Sequence, residues 1–114
     1  MCGITGIFGN FRKDELDRSV RKMSAALAHR GPDDSGTWSD GKSGISFGHR
    51  RLSIMDLSLS GHQPMISPCG KFSVVFNGEI YNHLQLRDRL NNSKYGQSWK
   101  GHSDTETLVS LFSQ

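Results

Sequence analysis

Apolar positions recur along this chain with two different periods, and their alternation predicts an α+β fold. Ile4 to Phe8 is a short apolar run bounded by glycines, which reads as a buried strand with Cys2 at its start. Leu16, Val20, Met23 and Leu27 then return at helical spacing, with Asp14 and Glu15 in front and His29 and Arg30 behind, before Gly31-Pro32. The stretch Gly31 to Gly44 is polar and glycine-rich, with a short strand around Thr37 and Trp38. Ile45 and Phe47 alternate with polar residues and predict a strand running into His49-Arg50-Arg51. Leu57 to Gly70 reads as connecting structure with turns at Ser60-Gly61 and Pro68-Cys69-Gly70.

The clearest strand pattern is Phe72, Val74 and Phe76 alternating with Ser73 and Val75 and ending at Asn77-Gly78. An Asn-Gly pair after such a run is a hairpin signal. Asn82 followed by Gln85 instead resembles a capping box, and Leu86 and Leu90 lie four apart, so a helix is expected a few residues further on. Ser103 with Glu106 forms a second such signature ahead of Leu108, Leu111 and Phe112.

At 114 residues with 13 glycines and 34% apolar residues, the chain has room for one small domain rich in turns. The net charge of +3 comes from 14 Lys and Arg interspersed with 11 Asp and Glu. Without a cationic stripe this gives no basis for a nucleic-acid interface. Cys2 and Cys69 are too few for a disulfide framework and fit a reducing compartment. No apolar run reaches the length of a membrane span, and no signal peptide opens the chain, so a cytoplasmic location without a membrane partner is expected. The five histidines show no ligand spacing with the cysteines, so no metal site is expected. Cys69 is read as an exposed turn residue without chemistry.

Removal of Met1 would make Cys2 the first residue, placing a nucleophile and a base on one residue. A thiol attacks as its thiolate, with a free pKa of about 8.5, and an α-amino group of pKa roughly 7.7 to 8.0 can take the proton. Position alone favours the plainer reading, a small buried residue opening a strand. Three polar clusters lie beside predicted strand or helix ends: Arg50-Arg51-Leu52-Ser53-Ile54, Asn77-Gly78-Glu79 and Ser103-Asp104. Singly they read as a basic pair, a turn and a cap. Together they offer a guanidinium for a carboxylate, a carboxylate for an ammonium, and amide donors for a developing oxyanion. Gly78 has no Cβ to obstruct a close backbone approach.

These segments, with Cys2-Gly3-Ile4, His29-Arg30-Gly31-Pro32-Asp33-Asp34-Ser35-Gly36, Gly61-His62-Gln63-Pro64-Met65, Phe76-Asn77-Gly78-Glu79-Ile80-Tyr81-Asn82 and Ser103-Asp104-Thr105-Glu106, resemble a class II glutamine amidotransferase domain. The likeness is greatest to the glutaminase half of glutamine-dependent asparagine synthetase. It implies Cys2 as nucleophile with its own α-amine as base, and Asn77 and Gly78 as the oxyanion hole. It implies a glutamine site of Arg51, Leu52, Ser53, Ile54, Met55, Asn77, Gly78, Glu79 and Asp104, with Arg51 on the carboxylate and Asp104 on the α-amino group. The implied reaction is hydrolysis of L-glutamine to glutamate and ammonia through a Cys2 thioester.

The implied architecture is a truncated N-terminal-nucleophile-hydrolase-like αββα sandwich, antiparallel sheets between helical layers, with residues 1–114 as the N-terminal part of a type-2 domain. The synthetase domain, which would use ATP and magnesium to form an amide from aspartate, is absent from the sequence and is the expected partner. No cofactor is expected within the chain itself. The rival expectation is a catalytically inactive remnant acting in binding or interaction.

Overall fold

Three strands and one helix form the first half of the fold. The computed structural model describes residues 1–53, 58–94 and 96–114. Strand β1 (Gly3–Phe8), helix α1 (Lys13–Ala26), strand β2 (Asp34–Asp40) and strand β3 (Ile45–Arg51) follow in order. The strands make an antiparallel sheet ordered β1-β3-β2, with Gly3 opposite Arg50 and Asp34 opposite Arg51. Helix α1 packs across all three strands. Leu16, Val20 and Ser24 form its buried face, and a Cβ on Gly48 would strike Ser24, Thr5 and Val20, so glycine there lets the helix sit close. Arg12 N–H donates to Glu15 Oε2 at 2.9 Å, tying down the helix start.

The strand expected to be buried is only half so. Thr5 and Ile7 are partly covered on alternate positions, whereas Ile4 is 48% and Phe8 82% exposed. One helix covers one face of the sheet, and a period-2 strand sends its other side chains away from it. Trp38 and Phe47 stack at 5.7 Å between ring centroids. Helix α1 stops at Ala26, so His29 and Arg30 lie beyond its last turn.

The second half is built from strands β4 (Met65–Ile66) and β5 (Ser73–Val74) with helices α2 (His83–Asn91) and α3 (Asp104–Leu111). Leu90 and Val109 are its fully buried apolar side chains, and full burial of such groups stabilises by about 1.5–3 kcal/mol each. A short 3₁₀ turn, Leu59–Gly61, joins the halves.

The Phe72–Phe76 pattern gives a ladder of only Ser73 and Val74. The cause lies in Gln63, which is 7% exposed. Its Oε1 accepts the Phe76 N–H at 2.6 Å, and its Nε2 donates to the Phe76 carbonyl at 3.2 Å and to Thr105 Oγ1 at 3.3 Å. A side-chain amide takes the place of a neighbouring strand. Asn77-Gly78 makes no hairpin, because α2 follows instead of a paired strand. Asn82 does precede α2, but its side chain makes no cap hydrogen bond, so that capping box is not formed. At α3 the box is half formed: Glu106 N–H donates to Ser103 Oγ at 3.3 Å, while the Glu106 carboxylate turns to Lys100 N–H and Gly101 N–H.

Replacing Gln63 by Ala would strand the Phe76 backbone groups. Unfolding in urea should show a loss of about 2–4 kcal/mol. A midpoint matching the parent chain would refute the bracing role.

Candidate active site

Cys2 precedes edge strand β1 and faces the turn after β3. Leu52 N–H donates to its Sγ at 3.4 Å, and the thiol lies 3.9 Å from the Leu52 carbonyl. Asn77 Nδ2 donates to the Cys2 carbonyl at 3.2 Å, bringing the two halves of the fold together at this residue. Met1 is 78% exposed.

Two aspartates from the Arg-Gly-Pro-Asp-Asp segment brace the backbone around Arg51 and the side chain of His62. Asp33 Oδ2 accepts Ser53 N–H at 2.7 Å, and Asp33 N–H donates to the Arg51 carbonyl at 3.0 Å, holding the turn that carries Arg51 to Ser53. Asp34 Oδ2 meets His62 Nδ1 at 2.7 Å, fastening the residue beside Gln63 to the sheet. Arg51 Nη1 donates to the Ser58 carbonyl at 2.7 Å. A side chain at Gly61 would run into the guanidinium, so glycine makes the room Arg51 occupies.

Asp104 opens α3, and its Oδ2 accepts Ile80 N–H at 2.8 Å. The segment bearing Asn77, Gly78 and Glu79 is therefore held at one end by Gln63 and at the other by Asp104. The space over Gly78 is taken by the Phe76 ring, which a Cβ would hit.

Cys2, Arg51, Leu52, Ser53, Asn77, Gly78, Glu79 and Asp104 all line one cavity of about 820 Å³. Ile54 and Met55 lie outside the described residues. Arg51, Glu79 and Asp104 among the lining residues give the cavity charges of both signs. Among the described residues no group of three or more His, Cys, Asp or Glu side chains could hold a metal ion. No helix among them is long and apolar enough to cross a membrane.

The sequence did not single out Gln63 or His49 as parts of this wall. His49 is 2% exposed, lines the cavity, and its Nε2 has no hydrogen-bond partner among the described residues. Burial pushes its pKa below the ordinary 6.5, outweighing the Asp34 carboxylate and the Phe76 carbonyl, which favour the charged ring. Alternation along β3 was the available clue, since His49 shares a strand face with Phe47 and Arg51.

A thiol, a guanidinium and two carboxylates thus line one cavity in an α+β frame of antiparallel sheets and helices. Comparison with known proteins gives the family. The chain belongs to the glutamine amidotransferase domain family, which it matches over residues 1–114. It is similar to a putative glutamine-hydrolysing asparagine synthetase 2 of Methanocaldococcus jannaschii, with 36% identity over all of this chain and 24% of that protein. It is also similar to glutamine-hydrolysing asparagine synthetase 1 of Arabidopsis thaliana, at 37% identity over 100% of this chain and 18% of that protein. Asparagine synthetase 2 of Bacillus subtilis, likewise glutamine-hydrolysing, is 39% identical over 100% of this chain and 15% of its own length. The chain thus spans less than a quarter of these curated relatives.

Cys69 sits in the Pro-Cys-Gly turn as expected and is exposed. Hydroxyls of Ser113 and Ser67, at 3.5 and 3.3 Å, and the Lys71 N–H lower its pKa to about 7. At pH 7 it is therefore expected to alkylate with iodoacetamide, and peptide mass spectrometry should find Cys69→Ser proof against labelling there and slower labelling of the parent at pH 5.5.

His49 makes stability depend on pH. With its folded pKa lowered, the unfolded chain takes up the proton first as pH falls. The stabilisation is present above about pH 6.5 and is lost as pH falls through the lower folded value. Thermal melts from pH 7.5 to 5 should show a shallower decline for His49→Gln than for the parent, and parallel declines would contradict this.

Proposed function

We propose that this chain is the glutamine-hydrolysing part of an asparagine-synthetase-like enzyme. The observation that carries the reading is the convergence of Cys2, Arg51, Asn77, Gly78 and Asp104, drawn from distant stretches of sequence, on one cavity. Family membership and the names of the relatives support the same reading.

After loss of Met1, the α-amine of Cys2 takes the thiol proton and the thiolate attacks the side-chain amide carbon of L-glutamine. The carbonyl electrons move to oxygen, and the negative charge is met by Asn77 Nδ2–H and Gly78 N–H. An Asn amide has two N–H donors, so one can stay on the Cys2 carbonyl while the other turns to the oxyanion. Collapse of this intermediate expels ammonia, which takes a proton from the α-ammonium, and leaves a thioester. Water then attacks the thioester and releases glutamate and the thiol.

Arg51 holds the substrate carboxylate, Asp104 its α-ammonium, Glu79 makes a further glutamine contact, and the family resemblance adds Leu52, Ser53, Ile54 and Met55 to the glutamine-binding set. The sheets and helices are part of an αββα sandwich, and residues 1–114 are the N-terminal part of that domain. Ammonia passes to an ATP-dependent domain of the longer protein, which forms an amide from aspartate in the cytoplasm.

The test is glutamate release by the Met1-free chain, joined to the synthetase region of a relative. Cys2→Ala should abolish release, and Arg51→Ala should raise KM for glutamine by about tenfold or more. Glutamate release that survives Cys2→Ala would refute the mechanism. A parent chain that neither releases glutamate nor takes a glutamine-like electrophile on Cys2 would favour an inactive binding remnant.

A further inference from the structure

Arg87 is a guanidinium buried inside the second half of the fold, 7% exposed, in a helix whose other buried residue is Leu90. Burial of such a charge is costly unless its donors are matched. They are. Nε donates to Thr107 Oγ1 at 2.8 Å, Nη1 to the Gly101 carbonyl at 2.7 Å, and Nη2 to the Ser103 carbonyl at 2.7 Å and Glu106 Oε2 at 3.3 Å. The guanidinium also lies 4.1 Å from the centroid of the Trp99 ring. Glu106 in turn accepts Lys100 N–H at 2.7 Å and Gly101 N–H at 3.1 Å.

Every one of these contacts falls between Trp99 and Thr107, the segment that delivers Asp104 to the cavity. The carboxylate of Asp104 then returns to Ile80 N–H at 2.8 Å, just after Asn77-Gly78-Glu79. A closed circuit results: the Asn77–Ile80 segment leads into α2, α2 carries Arg87, Arg87 holds the approach to α3, and Asp104 reaches back to Ile80. Five fixed N–H donors on a planar fork suit this task, whereas a lysine ammonium could not serve the Gly101 and Ser103 carbonyls and Thr107 together.

We propose that Arg87 is a positioning residue for substrate recognition: it fixes the path of Gly101–Ser103 and so aims the Asp104 carboxylate at the α-ammonium of the bound amino acid. This rests on the glutaminase reading above and adds to it a residue that touches no substrate. Arg87 acts on affinity through the ammonium contact and leaves the thiol chemistry unchanged.

The test uses the Met1-free chain carrying Cys69→Ser, a diazoketone analogue of glutamine, and the half-saturating concentration for labelling of Cys2, read by mass spectrometry. Arg87→Lys should raise that concentration about tenfold while the limiting labelling rate changes less than about twofold. Asp104→Asn, which keeps an acceptor for Ile80 N–H and loses the charge, should raise it similarly. The double variant should be no worse than Asp104→Asn alone, because both changes remove one interaction. With the analogue lacking its α-amino group, parent and Arg87→Lys should label alike.

Effects of the two substitutions that multiply, or a weakening by Arg87→Lys that persists with the deamino analogue, would overturn the role of Arg87 alone. An Asp104→Asn chain that binds the analogue as the parent does would overturn the ammonium assignment and this role with it. A parent chain never labelled at Cys2 would overturn the glutaminase reading itself. Should Arg87→Lys fail to fold, Thr107→Val frees only Nε at constant volume; a two- to threefold weakening confined to the amino-bearing analogue is then expected, and none at all refutes the proposal.

Discussion

The side-chain amide of Gln63 is the constraint on which the site depends. It occupies the place a neighbouring strand would take beside Phe76, satisfying that residue's N–H and carbonyl, and it reaches Thr105 on α3. Buried backbone groups without partners are strongly disfavoured, so this one side chain decides where the chain can leave the sheet region and turn toward the cavity. His62, next in sequence, anchors the same segment to Asp34. The two halves of the fold are therefore clamped together at the residue pair that stands beside the cavity.

Seen this way, the short motifs along the chain brace one another as well as line a pocket. Asp33 holds the turn of Arg51 to Ser53, Asp34 holds His62, Gln63 holds Phe76, Asp104 holds Ile80, and Asn77 holds Cys2. Each bond joins segments far apart in sequence. Placing reactive groups to within a fraction of an ångström requires such support, because a loop held only by its own backbone would wander.

Much of this was legible in the sequence, and the parts that were not share a cause. Helix α1 and strand β3 follow from local periodicity, since their partners are regular elements that complete the pattern. The Phe72–Phe76 strand came out short because its continuation pairs with a glutamine side chain, which no alternation of apolar residues records. The Asn82–Gln85 signature was present, yet the cap bond is absent. Glu106 fits a capping box by spacing but is recruited by Arg87 from α2 and by the nearby N–H groups of Lys100 and Gly101. Eight of the residues that line the cavity were named through family resemblance and charge chemistry. Gln63 and His49 escaped because a buried polar side chain looks, in sequence, like a surface one.

The anchoring of Cys2 has a consequence for maturation. Its hydrogen bonds fall on the carbonyl and the sulfur, from Asn77 and Leu52, and Met1 is exposed. Cutting the peptide bond before Cys2 breaks none of these bonds. Under the proposed mechanism, trimming one residue works as a chemical switch without a mechanical one: the new amine appears beside a sulfur already held in place, and the catalyst is armed without refolding.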